Sequence, residues 1–392
     1  MSWIRKNKEN ISIIFALAIP IIIENILQTL LGTVDTYFAG QINDNAIAAI
    51  GVTNLIINIF IAFYTAISIG TSAIVSRNFG RVDYTEANSA IKQSNILGIT
   101  LGLLVGIISF VFYKPIIMVS GVSPDLINYT SPYYMIVVVP SVFLCLSLIL
   151  SSCLRSTKDT KTPMIATGIA NVLNIVLNML FIKLGLGIFG LGLATTISRI
   201  IGVLILTRKL MKGEEIKLDF KNMRIKKDVI SSILKIGIPA GVEKLVMRIG
   251  QLVYNSMIIS IGISAYVAHN IAGNIESYTY IPAMGFGVAT ATLVGISLGE
   301  NNIKKAKSIV FLSDIIATAF MLCFGVIFFI FARTLASIFT DTKEVQDMVV
   351  IVLRLIAIFQ PFAAITQIFT SALQGAGDTK FPMYATLIGI WC

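Results

Sequence analysis

Charge is scarce in this chain. Asp, Glu, Lys and Arg make up 13% of its 392 residues, roughly half the share found in soluble domains. With 56% hydrophobic residues and a mean hydropathy of +0.87, the sequence is composed for lipid. It has one histidine, His269, and four cysteines, Cys145, Cys153, Cys323 and Cys392, at no paired or metal-ligand spacing. No disulfide framework and no cysteine–histidine metal site is therefore expected. HExxH, Asp-rich metal motifs, a Walker A loop and CxxC pairs are all missing. That argues against a membrane-embedded enzyme and against ATP-driven work. The short alternating segments of a membrane barrel are missing too.

Long apolar runs are what the sequence does have. They lie near residues 11–38, 46–76, 89–113, 131–153, 163–183, 187–208, 230–261, 265–298, 309–332 and 348–373, with an incomplete eleventh over 381–392. A run of about 20 residues crosses the ~30 Å hydrocarbon core as a helix. The expected fold class is an all-α polytopic membrane protein. Arg5, Lys6 and Lys8 precede the first run, but that run is much longer than the apolar part of a signal peptide. Ala46-Ile47-Ala48 also lies too far along for cleavage, so the segment is expected to remain as the first helix.

The net charge of +10 would suit a nucleic-acid partner, but its placement does not. With the N-terminus taken as cytoplasmic, 21 of the 30 Lys and Arg residues fall in inner segments, eight of them between Arg208 and Lys227. Only Lys114, Lys183, Arg333 and Lys343 fall outside, and Arg199, Lys235, Lys244, Arg248 and Arg354 lie within or at the ends of runs. The positive-inside rule accounts for this pattern without nucleic acid and places the chain in the plasma (inner) membrane, multi-pass.

The sequence also repeats itself. Pro20 and Glu24 recur 219 residues on as Pro239 and Glu243, Val75 as Val294, Gly80 as Gly299, Leu154 as Leu373, and the Asp159–Met164 stretch as Asp378–Met383. One offset throughout gives two repeats with the same helix plan, 1–219 and 220–392. With six spans before the basic loop, both begin on the cytoplasmic side as parallel repeats facing a central cavity. The counterpart of 174–219 would lie beyond Cys392, and the residues from Phe381 rise only about 18 Å as a helix. The expectation is a twelve-helix plan with ten spans and a partial eleventh, the second bundle being truncated; a ten-helix form is the alternative. Internal duplication of so apolar a chain points to a transporter.

Four stretches carry a family resemblance: Pro20 followed by Val34–Gly40, Gly70–Gly80, Leu154–Pro163 and Leu373–Pro382. Together they resemble the multidrug and toxic compound extrusion (MATE) family over nearly the whole chain, with a pattern most similar to its prokaryotic DinF-like branch. The resemblance implies a cation-coupled exporter of small amphipathic, often cationic compounds. It implies a monomer in the lipid bilayer, working without a cofactor, with H+ or Na+ as the coupling ion and the coupling chemistry in the N-terminal half.

An acid in a membrane span costs about 2.5–3.5 kcal/mol on insertion scales and is a functional candidate by default. Glu24, Gln28 and Asp35 share one stripe of the first span, Glu24 and Asp35 being only about 20° apart around the helix. Burial penalises a carboxylate's charge and a nearby cation favours it, so one acid can exchange proton, sodium and substrate. Asp35 matches the family's first-helix aspartate; a structural hydrogen-bonded acid is the other reading. Glu24 recurs as Glu243, so packing or gating stands beside coupling for it. Asn171, Asn174 and Asn178 line one face of the fifth span. By the family's spacing, its cation site falls on Asn174, Asn178 and Thr196. Some archaeal members carry Asp where this chain has Asn178, leaving one fixed carboxylate fewer. Interhelical hydrogen bonding is the alternative for these amides. Asn54, Asn58 and Thr65 form a similar stripe on the second span, as cavity lining or as packing.

The second repeat differs chemically, for Asp35 maps to Tyr254. Glu243, Lys244, Arg248 and Gln251 on the seventh span, with His269 and Glu276 on the eighth, are its polar residues; of these Glu243, Arg248, Gln251 and Glu276, together with Glu24, Gln28, Asn54, Asn58 and Tyr254, are candidates for lining the substrate cavity. Glu276 is the expected partner of Arg248. The tenth span, with Gln360 and Gln367, lacks the acid that the family's NorM-like branch uses, so a sodium site of that kind is not expected here. His269 reads as a pH sensor or a satisfied interfacial histidine. Pro20, Pro140, Pro239 and Pro361 should kink their spans, for bending or for static curvature. A lipid-linked precursor flippase of the related superfamily is the competing function, favoured by the Lys244–Arg248 pair.

Overall fold

The computed structural model describes residues 2–120, 124–219 and 224–391, with side chains described from Asn7 onward except at Pro124 and Asp125. Lys221 and Cys392 lie outside the described residues, as do the side chains of Arg5 and Lys6. Among the described residues the chain is all helix, turn and loop. In order these are α1 Ser2–Gly40, α2 Asp44–Gly80, α3 Tyr84–Val111, α4 Tyr113–Val119, α5 Pro124–Val138, α6 Ser141–Ser156 and α7 Lys161–Lys183. Then follow α8 Gly187–Met211, α9 Lys227–Ile261, α10 Ile263–Gly299, α11 Ile303–Phe339, α12 Lys343–Ala376 and α13 Lys380–Trp391.

Each expected apolar run falls on one of these helices to within two residues, with one exception. The run at 131–153 is broken between Val138 and Ser141, where α5 and α6 meet at 41° beside Pro140. Proline cannot donate to the preceding turn, and the helix ends there. Among the described residues eight helices are long and apolar enough to cross a membrane, nine if the α5–α6 pair counts as one span. The expected ten exceeds this because α9, though 35 residues long, carries Glu243, Lys244 and Arg248 within two turns. Pro20, Pro239 and Pro361 sit inside α1, α9 and α12.

The repeat reaches down to turn geometry. Val82 and Asn301 adopt left-handed φ of 60° and 55°, and the next residues, Asp83 and Asn302, cap α3 and α11 through bonds of 3.1 and 2.9 Å from Glu86 N and Lys305 N. Lys158 and Gly377 are likewise left-handed, at 68° and 86°. Asp159 and Asp378 then accept from Thr162 N and Phe381 N at 3.0 and 3.3 Å. Such caps satisfy backbone donors that have no partner inside the helix.

The helices form two compact units. One comprises Met1–Ile22 with Val242–Cys392, the other Ile23–Gly241. In the first, Ile14, Leu17, Ala18 and Ile21 of α1 join Phe286, Leu293, Leu312, Met321 and Ile368 in one buried cluster. In the second, α2 packs on α3, α5 and α6, and α8 on α5, α6 and α7. Its core holds Tyr64, Ile91, Ile149 and Leu206, with Ile233 of α9. A Cβ on Gly70 would collide with the Ile233 carbonyl, so glycine is what lets α2 and α9 approach this closely. The packing units divide α1 after Ile22 and α9 after Gly241, two positions 219 residues apart.

Candidate functional site

The polar centre of the Ile23–Gly241 unit is built on α1, α5, α7 and α8. Asp35 on α1 is 4% exposed, and Asn174, Asn178 and Thr195 are 0%, 0% and 1% exposed. Asn178 Nδ2 donates to Asp35 Oδ1 and to Asn174 Oδ1, each at 3.0 Å. Thr195 Oγ1 lies 2.9 Å from Asp35 Oδ2 and 3.0 Å from Leu191 O, and receives Asn174 Nδ2 at 3.3 Å. Asn174 and Asn178 meet Asp35 together because their four-residue spacing puts both on one helix face.

Sequence spacing pointed to Thr196, but its hydroxyl donates to Ile136 O at 2.8 Å, and Thr195 takes the place beside Asp35. Gly185 and Gly187, at φ of 73° and 53°, wind the α7–α8 turn in a way that spacing alone cannot resolve to one residue. Two further groups were missed. Tyr133, buried on α5, is in hydrogen-bonding reach of Thr195 and electrostatically close to Asp35. Arg199, one turn beyond Thr195, also acts on Asp35 electrostatically, with Nη1 at 3.5 Å from Val137 O. A second Tyr at 134 hid the first, and only the i, i+4 step from Thr195 marks Arg199.

The remaining candidates divide by unit. Eleven residues before Asp35 on α1, Glu24 is fully buried, 3.1 Å from Arg155 Nη1, and accepts from Gln28 Nε2 at 3.4 Å. Asn171 donates to Leu27 O at 2.6 Å, so it ties α7 to the α1 backbone. Asn54 and Thr65 are half-buried and Asn58 is exposed, and none of them bonds Asp35. In the other unit, Glu243 accepts from Gln374 Nε2 at 3.2 Å and lies 3.8 Å from Lys244 Nζ. Arg248 does not pair with Glu276. It donates to Gln251 Oε1 at 3.1 Å, three residues along its own helix, while Glu276 bonds Tyr280. Tyr254 packs edge-on against His269, ring centroids 5.2 Å apart. Gln360 accepts from Thr279 at 3.4 Å and Gln367 donates to Ser371 at 3.4 Å.

The Asp35 cluster gathers oxygens: two from the carboxylate, the amide oxygens of Asn174 and Asn178, and the Thr195 hydroxyl. Asn178 Oδ1 is buried with no hydrogen-bond partner among the described residues. A buried polar atom left unpaired is costly, and an oxygen cage around one carboxylate suits a hard monovalent cation or a proton. Among the described residues no group of three or more His, Cys, Asp or Glu could hold a transition metal, and Cys145, Cys153 and Cys323 are free thiols.

The MatE family model matches residues 20–180 and 239–392, which lie in both repeats and include Asp35, Asn174 and Asn178. The chain belongs to the MatE family. A probable multidrug resistance protein NorM of Thermotoga maritima is 31% identical over 380 residues, covering 96% of this chain and 82% of that one. The multidrug export protein MepA of Staphylococcus aureus is 25% identical over 366 residues, covering 93% and 81%. The solved outward-facing structure of a multidrug resistance MATE family transporter superposes at a TM-score of 0.89 with 23% identity, covering 96% and 85%, a likeness of fold. As a MatE member the chain is a multi-pass membrane transporter and not an enzyme.

Proposed function

We propose that this MatE protein is a secondary antiporter that exports small amphipathic, often cationic compounds in exchange for H+ or Na+ by alternating access. Asp35 is the coupling acid; Asn174, Asn178 and Thr195 complete its cation site, and Tyr133 and Arg199 border it. The observation that carries the reading is the buried Asp35 carboxylate held at 3.0 and 2.9 Å by neutral donors beside an unpaired amide oxygen. A carboxylate so placed can give up either bond to a cation without leaving a second charge exposed. The named activities of the NorM and MepA relatives support multidrug compounds as cargo. The second repeat has Tyr254 at the position of Asp35 and amides at Gln360 and Gln367, which supports coupling in the N-terminal half, as in the DinF-like branch.

The same reading takes ten spans, counting α9 and the α5–α6 pair, with α13 as a partial eleventh. It arranges them as two parallel repeats in the plasma membrane, the protein a monomer with its N-terminus cytoplasmic. The flippase reading draws on Arg248, an exposed cation on α9 whose hydrogen bond is to neutral Gln251.

The test is efflux of a fluorescent cationic dye from proteoliposomes under an imposed proton or sodium gradient. Efflux that follows one gradient and is lost in Asp35→Asn supports the antiporter and names its ion. Gradient-independent behaviour, with normal efflux in Asp35→Asn, overturns it.

A further inference from the structure

Each repeat carries a buried glutamate bonded to a side chain 131 residues further on. Glu24, 0% exposed, meets Arg155 Nη1 at 3.1 Å, and Glu243, 2% exposed, meets Gln374 Nε2 at 3.2 Å. Both ends of the pair are related by the 219-residue offset. Each glutamate is also the second residue of its helix within its unit, the units' segments beginning at Ile23 and Val242. The two clamps therefore pin α1 and α9 at equivalent places, to α6 and α12 respectively.

Their chemistry differs in a way that tracks the coupling acid. Eleven residues after Glu24 stands Asp35; eleven after Glu243 stands Tyr254. The clamp on the acid-bearing helix is an ion pair, and the clamp on the other ends in a neutral amide. Gln374 shows that an amide is enough to join the two helices. In that repeat the carboxylate's counter-charge comes from Lys244, the next residue of α9, at 3.8 Å, so charge balances within one helix. In the first repeat, balance itself spans α1 and α6. Parting them would strand a fully buried carboxylate and leave a half-buried guanidinium without its partner, which costs more than breaking a neutral contact.

We propose that Arg155 is a positioning residue for Asp35. Acting through Glu24, it keeps this part of α1 fixed while the Asp35 carboxylate trades its bonds to Asn178 and Thr195 for a cation. Asn171 on Leu27 O adds a second fixed point, eight residues and about 12 Å of helix from Asp35. Held there, α1 returns Asp35 to the same oxygen cage after each exchange. A clamp needed only for folding would not have to be charged, as its copy at Glu243 demonstrates. The proposal rests on the reading of Asp35 as the coupling acid.

The experiment measures the driving-cation concentration that gives half-maximal dye efflux from proteoliposomes, beside dye affinity by fluorescence anisotropy. Glu24→Gln with Arg155→Gln rebuilds the clamp as a neutral tie and leaves no orphan charge. It is expected to raise the half-saturating concentration about tenfold, a coupling of ordinary allosteric size, with dye affinity unchanged. Arg155→Lys, which keeps the charge with a looser bond, gives a smaller rise. Gln374→Arg, which installs the ion pair in the repeat without the acid, leaves the value unmoved. A folded double variant with the parental value overturns the proposal, and so does an equal shift from Gln374→Arg. Should the double variant not fold, Arg155→Lys decides: a raised concentration at constant dye affinity supports the proposal, and a parental one overturns it. Asp35→Asn separates the two ideas. Normal efflux there removes the antiporter reading, whereas a defect confined to Asp35→Asn removes only the role of Arg155.

Discussion

Asn178 spends both hydrogens of its amide on neighbours, one on Asp35 Oδ1 and one on Asn174 Oδ1, each at 3.0 Å. The bond to Asp35 joins residues 143 apart in sequence. It fixes the amide's orientation, and with both donors committed the oxygen of Asn178 is left to face the site alone. A net that holds an acid through neutral donors makes the acid's own charge the variable part of the site.

That charge can be removed with little change of shape. Asp35→Asn keeps an oxygen to accept from Asn178 or Thr195, so size-exclusion and melting profiles are expected to match the parent. Gradient-driven dye efflux should fall to the level of empty liposomes. Full efflux in the folded variant would remove Asp35 from the mechanism.

Adjacent threonines should separate cleanly. Thr195→Ala removes a hydrogen bond to a charged group, worth about 1.5–3 kcal/mol, and the half-saturating cation concentration should rise roughly tenfold or more. Thr196→Ala loses only its bond to Ile136 O, so it should cost about 0.5–1.5 kcal/mol of stability and leave the cation dependence alone. Melting curves and cation titrations run side by side read both effects; the opposite order would return the site to Thr196.

Asn178→Asp replaces two donors with a second carboxylate beside Asp35. Like charges this close destabilise each other unless a cation lies between them. The variant should melt lower than the parent in choline and recover in sodium, since a ligand bound by the folded state alone stabilises it by about 2.7 kcal/mol at a hundred times its Kd. Identical melting in both salts would show that no sodium enters.

Val82 holds a left-handed φ of 60°, a conformation that costs a β-branched residue roughly 1–2 kcal/mol. Its repeat counterpart is Asn301, at 55°, and asparagine tolerates that region. Val82→Asn should therefore stabilise the protein by about 1 kcal/mol, read as a higher melting temperature with unchanged efflux. A lower melting temperature would mean that the Val82 side chain contributes contacts outweighing the strain.

Helix positions were legible because a span is written as a run of twenty apolar residues, a signal that survives any local detail. Pro140 was legible as a kink, and the structure takes it further, to a break. The centre of the site, Asp35 with Asn174 and Asn178, was legible because membrane acids and amides are rare and a four-residue spacing fixes one face. Thr195 was not, since the α7–α8 turn decides which of two neighbouring threonines points inward. Partners brought together over long separations, such as Glu24 with Arg155, lie beyond any spacing rule. Arg155 reads in sequence as one more inner basic residue. The Arg248–Glu276 pairing failed for the opposite reason: comparable depth on two helices does not make them meet, and Gln251 was nearer on the same helix.

The clamp at Glu24 also bears on how the protein is made. Arg155 is synthesised 131 residues after Glu24, which at about 5–20 residues per second is a delay of roughly 7–26 s. Throughout that time α1 carries an acid with no counter-charge, in a segment where an acid opposes insertion by about 2.5–3.5 kcal/mol. Glu243 has no such wait, because Lys244 emerges immediately behind it. Only α6, through Arg155, brings the ionic partner that offsets this cost for α1.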